Sequence, residues 1–241
     1  MLDLLVKNGL TYVDGVFKKC DVGVKDGKIA CVAECGILGE AKRVIEAEGK
    51  YVIPGGIDTH VHIRSPGHDD REDFYTGTMS AAQGGCTTIL EHPISTPPQY
   101  NKEILDNRKN IARDKCVVDY AFYGAAGGEF PEEITEIAKE GIVAYKSFLH
   151  QAPEGREKEF VGLTMANDAE ILVGMREIAK TGLMMASHAE NNDLITYNIA
   201  KMRAEGHTKP LDHCKSRPPI TEYSTVAKLI MFAKETGCTL E

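Results

Sequence analysis

The sequence predicts an α/β protein, a (β/α)8 TIM barrel cut short after about five strand–helix units and preceded by a small β-sandwich module. Three observations predict it. Beyond Pro54, short apolar runs alternate with amphipathic helical patterns, the texture of parallel strands joined by helical crossovers. No Gly-rich dinucleotide fingerprint follows the first of those runs, which favours a barrel over a Rossmann sheet. The first fifty or so residues differ: they give short alternating runs broken by dipeptides suited to hairpins.

In chain order, LDLLVKNG, GVFKKCDVGVKDG, KIACVAE and KRVIEAEGK are the strand segments of the first module, read as antiparallel over residues 1–52. Asn8-Gly9, Asp14-Gly15 and Asp26-Gly27 mark the turns, because both residue types of each pair tolerate positive φ. From 53 to 241 the pattern gives strand 57–63, helix 72–84, strand 86–91, helix 101–112, strand 116–123 and helix 131–140. It continues with strand 142–149, helix 167–181, strand 183–188, helices within 190–205 and 219–236, and a last strand starting at Cys238. The glycines at 84–85 end the first barrel helix and those at 127–128 belong to a loop. A complete barrel takes about 200–250 residues, more than lie between 53 and 241, so the expectation is a piece of a longer or split protein.

Composition narrows the function. Of 241 residues, 42% are hydrophobic, enough for a sizeable core. The net charge is −8 with the charges scattered, which argues against nucleic acid as a partner. No apolar run approaches the roughly 18 residues that cross a bilayer. The seven cysteines form no C-x-x-C pair and follow no secretory leader, so they read as reduced thiols in a cytoplasmic protein.

Three strands carry residues suited to a metal. In IDTHVHIR, His60 and His62 stand two apart and project from one strand face, roughly 7 Å apart at the backbone. Such a pair suits two imidazoles on one ion, or two histidines hydrogen-bonded in a core. In GIVAYKSFL, Lys146 lies among apolar residues. Burial lowers a lysine pKa and frees the neutral amine as a nucleophile or a carbamate precursor, unless the ammonium reaches water at the strand end. In LMMASHAEN, His188 ends a strand, on the face where barrels build active sites. Three metal-competent strands together favour a metal site. His92, after TTILE, could line the same pocket; His68, His150, His207 and His213 read as solvated, and Met184 and Met185 as core beneath His188.

The ordered set PGGIDTHVHIRSPGHDD, GGCTTILEHP, AYKSFL, SHAEN and SRPPITEYSTVAKLI resembles the cyclic amidohydrolases of the amidohydrolase superfamily: hydantoinases with dihydropyrimidinases, allantoinases and dihydroorotases. The resemblance runs through nearly the whole chain. It implies that His60 and His62 hold the more buried of two divalent ions, that Lys146 is the carboxylated bridging ligand and that His188 binds the second ion, zinc being the expected metal among several that such ligands accept. It further implies a hydroxide activated between the ions that attacks a ring amide, opening a hydantoin, allantoin or related cyclic ureide. The subunits of such enzymes form dimers or tetramers, and the aspartate that serves as their general base would lie beyond residue 241, after an H-x-S-like motif. Asp58 does not replace it.

Within that group the signals divide. Arg64 completes H-x-H-x-R, as in dihydroorotases, where the arginine meets a substrate carboxylate. The asparagine that accompanies it there is Ile94, and the oxyanion-holding tyrosine of dihydropyrimidinases corresponds to Gln151. Dihydroorotase is therefore the second reading. A non-catalytic scaffold is the third, disfavoured because all four candidate ligands are present, and a mononuclear deaminase is disfavoured by Lys146.

Overall fold

Positive-φ dipeptides shape the first of two units, Met1–Gly55, in the computed structural model, which describes residues 1–241. Its strands are β1 (Leu2–Val13), β2 (Val16–Lys25), β3 (Lys28–Glu34), β4 (Ala41–Glu46) and β5 (Tyr51–Val52). Asp14-Gly15 and Asp26-Gly27 make the two hairpin turns, all four residues at positive φ. Asn8-Gly9 is no turn. Asn8 takes φ 60° at a bulge in the middle of β1, where its N–H donates to the buried Asp21 carboxylate at 2.8 Å. A side chain at Gly9 would place Cβ 2.4 Å from Val52.

The expected antiparallel sandwich is instead one mixed sheet, in the order β3-β2-β1-β4 with β5 also on β1. Strands β2 and β3 follow hairpins and run antiparallel. The segment before β4 brings the chain back to the start of β1, with Ala41 opposite Leu2, so β4 pairs in parallel, as does β5. Handedness of pairing there depends on a connection, which alternation along a strand does not encode.

The second unit, Gly56–Glu241, contains β6 (Gly56–Val61), α1 (Phe74–Gln83), β7 (Cys86–Glu91), α2 (Lys102–Arg113), β8 (Asp119–Ala125) and α3 (Pro131–Ala138). Then come β9 (Ala144–Phe148), α4 (Asp168–Thr181), β10 (Met184–His188), α5 (Asn192–Ala204), α6 (Pro210–Lys215), α7 (Ile220–Thr236) and β11 (Thr239–Leu240). The six strands lie in sequential order in one sheet, all parallel, with β6 and β11 at its edges. Helix α6 was not expected from the sequence: at six residues it is too short for an amphipathic period, and starts on Pro210 and the Asp212 carboxylate, which accepts from Lys209 N at 3.0 Å.

Strand alternation divides the core. Ile89, Phe122, Tyr145 and Met185 face the helices and pack with Leu105, Ile134, Met175 and Ile178. Tyr123, Ala144 and Ala186 cluster on the opposite sheet face, with Met184 beside them. Fully burying one such large apolar side chain contributes about 1.5–3 kcal/mol. Side-chain caps then fix where helices begin after the strand ends: Asp73 accepts from Thr76 N ahead of α1, and Asn167 from Ala169 N and Glu170 N ahead of α4. No helix is long and apolar enough to cross a membrane.

Candidate active site

His60 and His62 stand at the end of β6, where the register against β7 slips between Asp58 and Val61. Bulges of this kind re-aim side chains beside functional sites. The two rings meet edge to face with centroids 5.2 Å apart. His92, directly after β7, joins them: its ring stacks on His60 at 4.0 Å and on Tyr123 at 4.0 Å, and one ring nitrogen from each of the three histidines lies within 4.8 Å of the others. Asp58 is occupied locally, accepting from His60 N at 3.1 Å.

Electrostatics keeps these imidazoles neutral, the form that binds metal. Burial pushes His62 down to about 4 and His92 to about 3, with the neighbouring His60 and Lys146 charges adding to both shifts. His60 is lowered as well, by burial and then by Lys146. The donor set fits a cation. Nδ1 of His62 and Nδ1 of His92 are buried with no hydrogen-bond partner, an arrangement that water or an apolar core would not favour.

Lys146 sits in the middle of β9, a strand buried at every position. Its cross-strand neighbours are Ala125 and Ala186, which leave space around its stem. The residue is 4% exposed, burial lowers its pKa, and its Nζ lies 5.3 Å from the centre of the Phe148 ring. Lys146, His60 and His188 line one cavity of about 560 Å3 together with Glu190, Glu222 and Glu241. His188 Nε2 lies 2.8 Å from Glu190 Oε2, and its ring stacks on Phe148. The four expected ligands therefore fall into two groups that share His60: the histidine cluster and this cavity. Glu190 also borders a hollow of about 750 Å3 that Gln151 and Asn167 line.

Arg64 is placed differently. Its Nη1 lies 2.8 Å from Glu159 Oε2, and it does not line the cavity with His60. The same carboxylate binds Arg156 and faces His68, and these partners hold Glu159 down at about 2, Arg156 first. An internal carboxylate thus already occupies the guanidinium that the sequence offered to a substrate. Ile94, on the dihydroorotase asparagine position, is buried against Phe148 and Phe160.

Two features went unread in the sequence. His150 lies in the loop just after β9, half-buried rather than fully solvated, and its ring stands edge-on to Phe148 and to His188, at 5.5 and 5.8 Å. Glu91 and Arg108 form an ion pair at 2.6 Å with both side chains fully buried. Arg108 Nη2 also donates to Ile63 O at 2.9 Å, and Gln99 Nε2 bonds Tyr123 O at 2.9 Å and Glu91 at 3.4 Å. The network ties together the ends of β6, β7 and β8, directly beside the histidines. A signal existed: Leu105, Arg108 and Ala112 share the buried stripe of α2.

Comparison with known proteins adds an independent line. The sequence profile of the Amidohydrolase family matches residues 51–241. The chain is 37% identical over 98% of its length to an allantoinase of Bacillus licheniformis, and 31% identical over 99% to one of Escherichia coli. It spans about half the length of these curated relatives, 52% in each case. Among solved structures, the L-hydantoinase (dihydropyrimidinase) of Arthrobacter aurescens superposes with a TM-score of 0.92 at 32% identity, over 100% of this chain and 52% of that one. The D-hydantoinase (dihydropyrimidinase) of a Thermus species gives 0.79 at 28% identity, over 98% and 51%.

Proposed function

Because the chain belongs to the amidohydrolase family, we propose that it supplies the metal-binding half of an enzyme that hydrolyses a cyclic amide, opening a hydantoin, allantoin or related cyclic ureide. The observation that carries this reading is that His60, His62 and His92 cluster, with buried imidazole nitrogens on His62 and His92 that lack partners, while His60 also lines one cavity with Lys146 and His188. The allantoinase and hydantoinase relatives support the substrate class. Nothing favours dihydroorotase, since Arg64 is already paired and Ile94 is apolar and enclosed.

In this reading His60 and His62 would hold one divalent ion, His188 would hold a second, and a carboxylated Lys146 would serve both as a ligand. Zinc suits such ligands. The ions, when bound, supply Lewis acidity that activates water and polarises an amide carbonyl. The chain's own contribution is positional and electrostatic. Burial holds the imidazoles neutral, so their lone pairs are available at neutral pH. Burial likewise favours the neutral amine of Lys146. That amine can add to the carbon of carbon dioxide, forming an N–C bond and releasing one proton to solvent, which leaves a carbamate anion with two oxygens to share. Arg64 pairs with Glu159 and thereby ties the end of β6 to the loop that follows β9. Seven unpaired cysteines suit a reducing cytoplasm.

The test is metal content of the purified chain after incubation with zinc and bicarbonate, followed by chromatography of hydantoin, allantoin, dihydropyrimidine and dihydroorotate reactions. About two ions per chain are expected, falling in Lys146→Ala, and ring opening is expected for a cyclic ureide. A wild-type chain that binds no divalent ion, or turnover that survives His60→Ala, would overturn the reading.

A further inference from the structure

We infer that a cavity of about 340 Å3 between α5 and α6 is a binding site for a phosphate dianion, free or carried as a small monoester. It shares no lining residue with the cavity of Lys146 and His188, and it stands whether or not the metal reading above holds.

One short stretch builds the wall. Arg203 comes from the last turn of α5, His207 and Lys209 from the connection that follows, His213 from α6 and Arg217 from just beyond it. Asn198 Nδ2 donates to Ser216 O at 3.1 Å, tying α5 to the end of α6 and closing the stretch into a concave surface. In a chain of net charge −8, Arg203, Lys209, Lys215 and Arg217 stand here against only Glu205 and Asp212.

Those carboxylates leave the cations of the lining uncompensated. Asp212 is buried and committed, accepting from Lys209 N at 3.0 Å and from Lys215 Nζ at 3.1 Å, and Lys215 is not part of the lining. His207 lies 3.7 Å from Asp212 and 3.8 Å from Glu205, beyond hydrogen-bond reach of either. Neither Arg203 nor Lys209 pairs with a carboxylate.

Arg217, by contrast, is held in place. Its Nη1 donates to Ser216 Oγ and to His213 Nδ1, both at 3.2 Å, and its Nε lies 3.5 Å from Glu190 Oε1. Ser216 is 3% exposed and donates in turn to His213 O at 2.7 Å, so the guanidinium rests on a buried hydroxyl. A guanidinium can only donate, so His213 Nδ1 accepts and the imidazole proton is on Nε2. The lining thus offers Arg203, Lys209 and Arg217 as cationic donors with His213 Nε2–H beside them, a set that matches the charge and the oxygens of a dianion. Cations kept only for solvation would need neither the buried hydroxyl under Arg217 nor its imidazole partner. Ile199 and Met202 add an apolar wall. Ligand pockets run from about 300 to 1,000 Å3, so the cavity has room for a carbon skeleton on the phosphate.

Equilibrium dialysis at fixed ionic strength measures binding of inorganic phosphate and of phenyl phosphate to the 241-residue chain. The variants are Arg203→Gln combined with Lys209→Gln, Arg217→Lys, and His60→Ala, which controls for anion binding at the metal centre. Saturable binding of both probes is expected, with a dissociation constant raised about tenfold or more in the double variant, whose charge-assisted hydrogen bonds are gone. A smaller rise is expected in Arg217→Lys, which keeps the charge and loses the fork, and no change in His60→Ala. Far-UV circular dichroism should be the same throughout. Tighter binding of phenyl phosphate assigns the site to a monoester, and equal or weaker binding assigns it to the free ion. No saturable binding of either probe, binding unaltered in the double variant, or binding lost in His60→Ala overturns the site.

Discussion

Strands β9 and β6 both carry candidate ligands, yet β9 is buried at all five positions and β6 at none of its six. Strand β9 is paired on both sides, and its lysine stands between Ala125 and Ala186 in fixed register. Strand β6 is an edge, paired to β7 alone, and slips register just where its histidines begin. Packing therefore positions Lys146. The end of β6 is held by polar contacts instead: Arg108 on Ile63 O and the backbone N–H of His92 on Val61 O. One side of the site is set by core shape and the other by a buried charge network.

The sharpest way to break that contrast is to remove Arg108. Arg108→Leu leaves the Glu91 carboxylate buried without its cation, and burial, the largest influence on Glu91, already raises its pKa against the pull of Arg108. A loss of about 3–5 kcal/mol is expected in urea unfolding, as for other broken buried pairs. Replacing both residues, Glu91→Leu with Arg108→Met, should recover most of it, because the desolvation of both charges disappears together. Hydrogen exchange at the end of β6 should nevertheless stay fast in the double variant if the charge network is what holds that strand. Protection equal to the wild type there would mean that packing suffices on both sides.

Acid comes next. His62 and His92 titrate near 6.5 in an unfolded chain but are pushed to about 4 and about 3 by burial in the folded one. Below pH 6.5 the unfolded chain takes up protons that the folded imidazoles refuse, so stability should fall as the pH drops toward 4 and be flat in this respect above 6.5. Each fully refused proton contributes a slope of at most about 1.4 kcal/mol per pH unit. The measurement is urea unfolding in the presence of a chelator, since bound metal would compete with the protons. His92→Phe should flatten the slope, whereas Lys146→Met, on the packed side, should leave a decline in the same window. A slope unchanged in His92→Phe would remove the histidine from that role.

How far this division could be read from sequence follows the same line. The strands and helices beyond Pro54 were legible because periods of two and about 3.6 are local properties, and β7 falls on the expected residues 86–91. Lys146 was legible because a charge within an apolar strand contradicts its surroundings. The parallel pairing of β4 and β5 was not, being decided by how the connections run rather than by the strands themselves. His92 was visible as a pocket candidate, but its tautomer depends on a carbonyl 33 residues away and on a register slip that no periodicity announces. Glu91 and Arg108 each looked like an isolated charge, and only the fold brings them within 2.6 Å. Arg64 shows the converse: its motif was clear, and the Glu159 that occupies it lies 95 residues away.

On the packed side, Tyr145→Phe removes a buried hydroxyl that donates to Ile134 O and ties β9 to α3. A loss of about 1 kcal/mol is expected, with metal content unchanged, because the hydroxyl faces the helices rather than the site.

The smallest effect is expected at the edge, and it examines the contrast from the other direction. Ile57 is 63% exposed on β6, and an apolar residue on an edge strand with one side unpaired is a template for association. Ile57→Lys removes no buried contact, so unfolding free energy should change by less than about 0.5 kcal/mol. Self-association, followed by light scattering across a concentration series, should decrease because a charged edge resists pairing. A loss well above about 1 kcal/mol would instead mean that Ile57 is packed in solution. Strand β6 would then be held as β9 is, by burial, and the polar anchors at its end would be redundant.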